Sequence, residues 1–93
     1  MKIWLKSVGD LRDYFGRGPQ EIVLDEKATL QDLLLTIDER WGKELPGYLW
    51  DSKNKHFRSS VFFIINEVVV QNLNTPLQDE SQVTLFRAIS GGF

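Results

Sequence analysis

An α+β fold, one helix laid across a mixed sheet of four or five strands, is what three features of this sequence predict. Leu30, Leu33, Leu34, Ile37 and Trp41 recur at spacings of three and four, the period of a helix with one buried stripe. Residues 2–8 and 82–88 instead alternate, as strands do when one face packs on a core. Between them two apolar runs, 61–65 and 68–71, flank Asn66-Glu67, a connection short enough for a tight hairpin. Strands at both ends, with one helix between, make a roll in which the first and last strands can lie side by side at the centre.

The elements follow in order. In the first strand Ile3, Leu5 and Ser7 share one face, and Trp4, Lys6 and Val8 the other. Gly9 to Gly18 holds three glycines, with Pro19 just after, around Leu11-Arg12-Asp13-Tyr14-Phe15, so it reads as a turn with at most one short helical piece. Gln20 to Leu24 is a second strand. Thr29 begins the helix as its N-cap and Asp32 completes a capping box; the helix runs from Leu30 to about Trp41 and Gly42 stops it. Residues 43–60 mix Pro46, Gly47, Asp51 and Asn54 with Leu45, Tyr48, Leu49 and Trp50, the composition of a long loop pinned by a few apolar side chains. In the hairpin that follows, glycine would be the favoured second turn residue, where this chain has Glu67. Val83 and Leu85, alternating with Thr84 and Phe86, mark the last strand, Gln82 to Ala88.

Composition narrows function. Ninety-three residues with 42% hydrophobic content suit one globular domain, 1–89, followed by a tail, 90–93. Eleven basic against 13 acidic residues give a net charge of −2, too weak a field to recruit nucleic acid or an anionic membrane. With no cysteine, thiol nucleophiles, disulfides and thiolate metal sites are excluded. The longest apolar run, Val61 to Ile65, is too short for a leader or a membrane span, and a cytoplasmic location is the expectation.

The residues with most chemical meaning are Ser90-Gly91-Gly92-Phe93, joined to the last strand with no linker. Two glycines carry no Cβ, so the backbone they form can thread a narrow active site in a partner. A reactive carboxylate on Gly92 is masked as long as its carboxyl is in the amide bond to Phe93, and amide resonance makes that a poor acyl donor. The chain as written then reads as a precursor; the plainer alternative is a frayed end without function.

In order and spacing, Met1 to Gly16, Ala28 to Gly42, Ile64-Ile65-Asn66, and Thr75-Pro76-Leu77 through Val83 to Gly92 resemble the small ubiquitin-like β-grasp sulfur carriers of the molybdopterin synthase small subunit and thiamine sulfur-carrier group. The resemblance implies that an adenylating enzyme of the ubiquitin-activating type, using ATP, activates Gly92, and that a sulfur donor converts it to a thiocarboxylate. Gly91 and Gly92 would be what partners recognise in the tail. The carrier itself would hold no cofactor and no metal and carry no catalytic residue. Members of the molybdopterin type commonly end at the second glycine and have Pro-Pro where this chain has Arg87-Ala88. A related branch carries extra residues that a zinc metalloprotease removes, and Phe93 fits it. The recipient of sulfur would be a molybdopterin synthase large subunit or another acceptor enzyme. Two other readings share the fold: a non-covalent adaptor capped by Phe93, and a protein modifier joined through Gly92 to a lysine.

Trp4, Val8 and Phe86 fall on one outer sheet face, and in this family that face docks partners. Alternatively the long loop covers it as a second small core, with Tyr48 and Trp50 as the cover. Arg87 either steers toward an acidic groove or solvates the strand end. His56 has no partner carboxylate or second histidine nearby; Asp25-Glu26 and Asp79-Glu80 sit at turns and lack metal-ligand spacing. Gly16 and Gly18 lack the strand–turn–helix context of a phosphate loop.

Overall fold

A computed structural model of the chain describes residues 1–88. Its strands are β1 (Lys2–Ser7), β2 (Gln20–Val23), β3 (Trp50–Asp51), β4 (His56–Phe57), β5 (Val61–Ile65), β6 (Val68–Val70) and β7 (Ser81–Arg87). A 3-10 turn, Gly9–Leu11, runs into the short helix α1 (Arg12–Phe15), and the main helix is α2 (Leu30–Trp41). Five strands form one sheet in the order β2-β1-β7-β5-β6. The two ends of the chain thus meet at its centre, β1 parallel to β7 with Leu5 opposite Val83, and the other pairings are antiparallel.

The alternation read in the sequence decides which face is buried. Ile3 and Leu5, Val83 and Leu85, and Val61, Phe63 and Ile65 turn to one side and meet Leu30, Leu33, Leu34 and Ile37 of α2 in a single core. Helix α2 has the expected bounds because both ends are satisfied. At its start the capping box forms, with the Asp32 carboxylate accepting from the Thr29 amide at 2.8 Å. The next two free amides, Leu30 and Gln31, donate to the carbonyls of Thr75 and Leu73. A distant loop thereby fills part of the deficit that every helix N-terminus carries. Trp41 closes the stripe half-buried, its ring edge-on to Phe15 at 5.0 Å.

Gly42 does end α2, but not by turning left-handed: its φ of −53° is helical. The glycine is needed for space, since a Cβ there would stand 2.5 Å from the Asp38 carbonyl oxygen. Residues 43–60 also differ from a plain loop, because they contain the two-stranded ribbon β3–β4. Leu45, Leu49, Trp50 and Phe57 of this segment enter the main core. Trp50 is fixed there edge-on to Phe57 at 4.8 Å, with its indole N–H donating to Asp38. The β5–β6 turn forms at Asn66-Glu67 with φ of 48° and 75°, so Glu67 occupies a position that favours glycine.

Candidate functional site at the end of the central strand

Strand β7 is paired with β1 as far as Leu85 and with β5 as far as Arg87, so its backbone is fixed almost to Ala88, the last described residue. Val8 donates to the Leu85 carbonyl on one side, and Ala88 donates to the Ser60 carbonyl at 2.8 Å on the other. Gly91, Gly92 and Phe93, the residues on which the sequence concentrates its chemistry, lie outside the described residues, as does the boundary between domain and tail.

Two surfaces flank the end of β7. On the helix side Arg87 continues the inward row of Val83 and Leu85, but at the sheet's end it meets charge instead of core. Its Nη1 is 2.7 Å from the Asp10 carboxylate, and its guanidinium lies 5.0 Å from the centre of the Tyr48 ring. Its Nε is buried and has no hydrogen-bond partner among the described residues. Arg87 is therefore neither a free steering charge nor a solvated strand end. The Tyr48 phenol also acts on Tyr14 and, with some desolvation, raises its pKa above the ordinary phenol value.

The opposite sheet face carries Trp4, Lys6, Phe62, Ile64, Thr84 and Phe86. Phe86 stacks on Phe62, its cross-strand neighbour, at 5.3 Å and 22°. Val8, 46% exposed, follows the end of β1 beside them. Trp4 shares the face but not the cluster. It is opposite Gln82, four residues before Phe86, or about 13 Å along the strand. Its indole N–H donates to Glu80 at 2.9 Å, and the Lys2 ammonium sits 5.6 Å from its ring. Phe62 and Ile64 were missed in the sequence reading, although a signal existed: the run Val-Phe-Phe-Ile-Ile is apolar at every position, so it puts apolar groups on both faces.

The alternative in which the long loop covers this face does not hold. Trp50 is buried on the helix side, and Tyr48, 57% exposed, packs against Arg87 there. The loop's apolar residues face the core because Asp38 on α2 holds both Trp50 and Lys55, the latter at 2.8 Å. Those two hydrogen bonds lower the Asp38 pKa. Asp51 is lowered likewise, chiefly by the Asn54 side chain and then by its backbone amide.

The remaining polar residues take structural places. Asp79 accepts the Lys2 amide at 2.7 Å, and Glu80 receives Trp4, so that acidic pair ties β1 to the turn before β7. The His56 Nδ1 lies 3.0 Å from the Phe57 carbonyl oxygen. Among the described residues no three His, Cys, Asp or Glu side chains are grouped as a metal site, and no helix is long and apolar enough to cross a membrane.

A helix across a five-stranded sheet, with a parallel central pair whose second strand leads straight into a Gly-Gly tail, defines a ubiquitin-like β-grasp protein. The chain belongs to the ThiS family, whose model matches residues 6–92. It is similar in structure to SAMP1 from Haloferax volcanii (TM-score 0.81, 18% identity, covering 99% of this chain and 100% of that one). A putative molybdopterin converting factor subunit 1 from Pyrococcus furiosus superposes with a TM-score of 0.72 at 25% identity, over 96% and 99% of the two chains. A third likeness is to a chain in the complex of subunits 1 and 2 of the molybdopterin-converting factor from Helicobacter pylori (TM-score 0.64, 22% identity, 99% and 100% covered). No curated protein matches the chain in sequence. These are small sulfur carriers or ubiquitin-like modifiers, and this chain is one of that class.

Proposed function

We propose that the protein is a cytoplasmic sulfur carrier whose Gly92, once Phe93 has been removed, is adenylated and then converted to a thiocarboxylate. The observation that carries this reading is the reach of the family match: it runs through Gly92 and ends one residue before Phe93. A zinc metalloprotease would hydrolyse the Gly92–Phe93 amide and free the carboxylate. That carboxylate attacks the α-phosphate of ATP, held by the adenylating enzyme, and pyrophosphate leaves. A hydrosulfide equivalent from the sulfur donor then attacks the acyl-adenylate carbonyl and expels AMP, leaving Gly92 as thiocarboxylate. The chain acts throughout as the substrate of other enzymes, with ATP bound by the partner.

The uncovered face, with Phe86, Phe62, Ile64 and Val8 grouped and Trp4 at its far end, is the surface we assign to partner docking. An apolar cluster with a stacked aromatic pair is the kind of centre on which interfaces concentrate their energy. The partners are the adenylating enzyme and a sulfur acceptor comparable to a second molybdopterin-converting subunit, in keeping with the 25% identity to a protein described as subunit 1 of such a factor.

The test is intact mass. Chain 1–92, incubated with the adenylating enzyme from its own genome, ATP and a sulfur donor, should gain the mass of sulfur for oxygen, whereas the full chain gains nothing until Phe93 is cut. Thiocarboxylation with Phe93 still attached refutes the precursor step, and an inert chain 1–92 refutes the carrier. Adducts of Gly92 on protein lysines would instead identify a modifier.

A further inference from the structure

We infer that Asp10, Tyr48 and Arg87 form a collar that aims the tail at the adenylating site, making these three positioning residues for the activation of Gly92. The inference rests on the reading of Gly92 as the activated residue. An isolated surface ion pair contributes little, because two long side chains must be ordered to make it. Here both partners of Arg87 are already held. Asp10 sits in the 3-10 turn between Gly9, whose φ is +63°, and the fully buried Leu11. The Arg12 side chain donates to the Gly9 carbonyl at 3.3 Å and closes that turn. Tyr48 lies between Gly47, whose carbonyl receives the Arg58 side chain at 3.0 Å, and the fully buried Leu49.

Arg87 is thus gripped from two fixed segments, by an ion pair of 2.7 Å and a cation–π contact of 5.0 Å. On the other edge of the strand the Ala88 amide is tied to Ser60. The strand end is constrained on both sides at the last two described residues, Arg87 and Ala88. Gly92 lies four positions after Ala88, within a chain reach of at most about 14 Å. A fixed strand end restricts where Gly92 can be placed, and a misplacement of about 1 Å at a reacting group costs up to about a hundredfold in rate. The collar lies on the helix side of the sheet, away from the Phe86 and Phe62 face, so its loss should leave docking intact.

The experiment compares Asp10→Ala, Asp10→Glu and Arg87→Ala in chain 1–92, with ATP–pyrophosphate exchange by the adenylating enzyme as the rate assay. We expect kcat to fall at least tenfold in Asp10→Ala and Arg87→Ala with KM within about twofold, and Asp10→Glu to recover most of it. Unchanged kcat, or a loss confined to KM, overturns the aiming role. Amide hydrogen exchange on the full chain reads the collar without any enzyme. In Asp10→Ala the Ala88 amide should exchange at least tenfold faster while the α2 amides keep their rates, and an unchanged Ala88 rate overturns the collar. If unaltered chain 1–92 is not adenylated, the fault lies with the Gly92 reading, and Ala88 exchange alone then decides whether the strand end is clamped.

Discussion

Replacing Gly42 by alanine sets two physical effects against each other, and the structure says which wins. The residue has helical angles, φ −53° and ψ −36°, so propensity alone favours alanine by about 1 kcal/mol. The added methyl, however, would stand 2.5 Å from the Asp38 carbonyl oxygen and 2.7 Å from its Oδ1. The first is backbone inside α2, and the second accepts the Trp50 indole, so neither can give way freely. Overpacking of this kind costs about 1–3 kcal/mol. The expected net loss is about 1 kcal/mol, a fall in Tm of roughly 4–8 °C for a domain of this size. Calorimetric melting at pH 7 measures it. Gly47→Ala is the control, since nothing lies within 4 Å of a Cβ there. If Gly42→Ala melts at or above the parent temperature, the steric account is wrong and helix propensity governs the site.

Three further outcomes follow from the same geometry. Glu67→Gly should stabilise by about 0.5 kcal/mol, because a left-handed residue other than glycine costs about 1–2 kcal/mol and glycine's extra freedom when unfolded returns part of it; denaturant midpoints would show the shift. Asp38 and Asp51 have lowered pKa values, so each contributes stability that is fully present above the unfolded carboxylate value near 4 and is lost as pH falls through its lower folded value. Asp38→Asn should therefore flatten the fall in Tm below about pH 4 while lowering Tm at neutral pH. Phe86→Ala should weaken binding of the adenylating enzyme about tenfold in Kd by calorimetry, and a double-mutant cycle with Phe62 should give a coupling in folding stability of about 0.5–1.5 kcal/mol.

What could be read from the sequence was whatever local pattern determines. The α2 stripe, its Thr29 cap and the alternation of β1 and β7 each name an element and a buried face, and the structure agrees on all three. The 43–60 segment was less legible because its order comes from contacts made far away in sequence. Trp50 is drawn inward by Asp38 on α2, and a loop sequence gives no sign of a hydrogen bond to a neighbouring helix. Gly42 was recognised as a stop, but for a reason of backbone angle where the structure has a reason of space. At the candidate site, the outward positions of Trp4 and Phe86 followed from period two, whereas their separation along the sheet depends on the β1–β7 register, which periodicity does not specify. Asp10 and Tyr48 carried no signal toward Arg87, since 77 residues separate Asp10 from it in the chain.

On the proposed function, the placement of β7 gives a physical reason for a β-grasp fold to carry a reactive C-terminus. A tail that grows from an edge strand inherits the fraying of that edge, because one row of backbone groups is unpaired. Here β7 has β1 beside it as far as Leu85 and β5 as far as Arg87, so moving the strand means breaking ladder hydrogen bonds or bending a sheet backed by α2. The partition of surfaces follows from the same arrangement. With Trp50 and Phe57 drawn to the helix side, nearly all the apolar burial is on one face, which leaves the other face, with Phe86 and Phe62, uncovered near the end of β7. The surface proposed for docking and the collar proposed for aiming are thereby fixed relative to each other by a single strand: Phe86 points to one side, and Arg87, the next residue, anchors to the other.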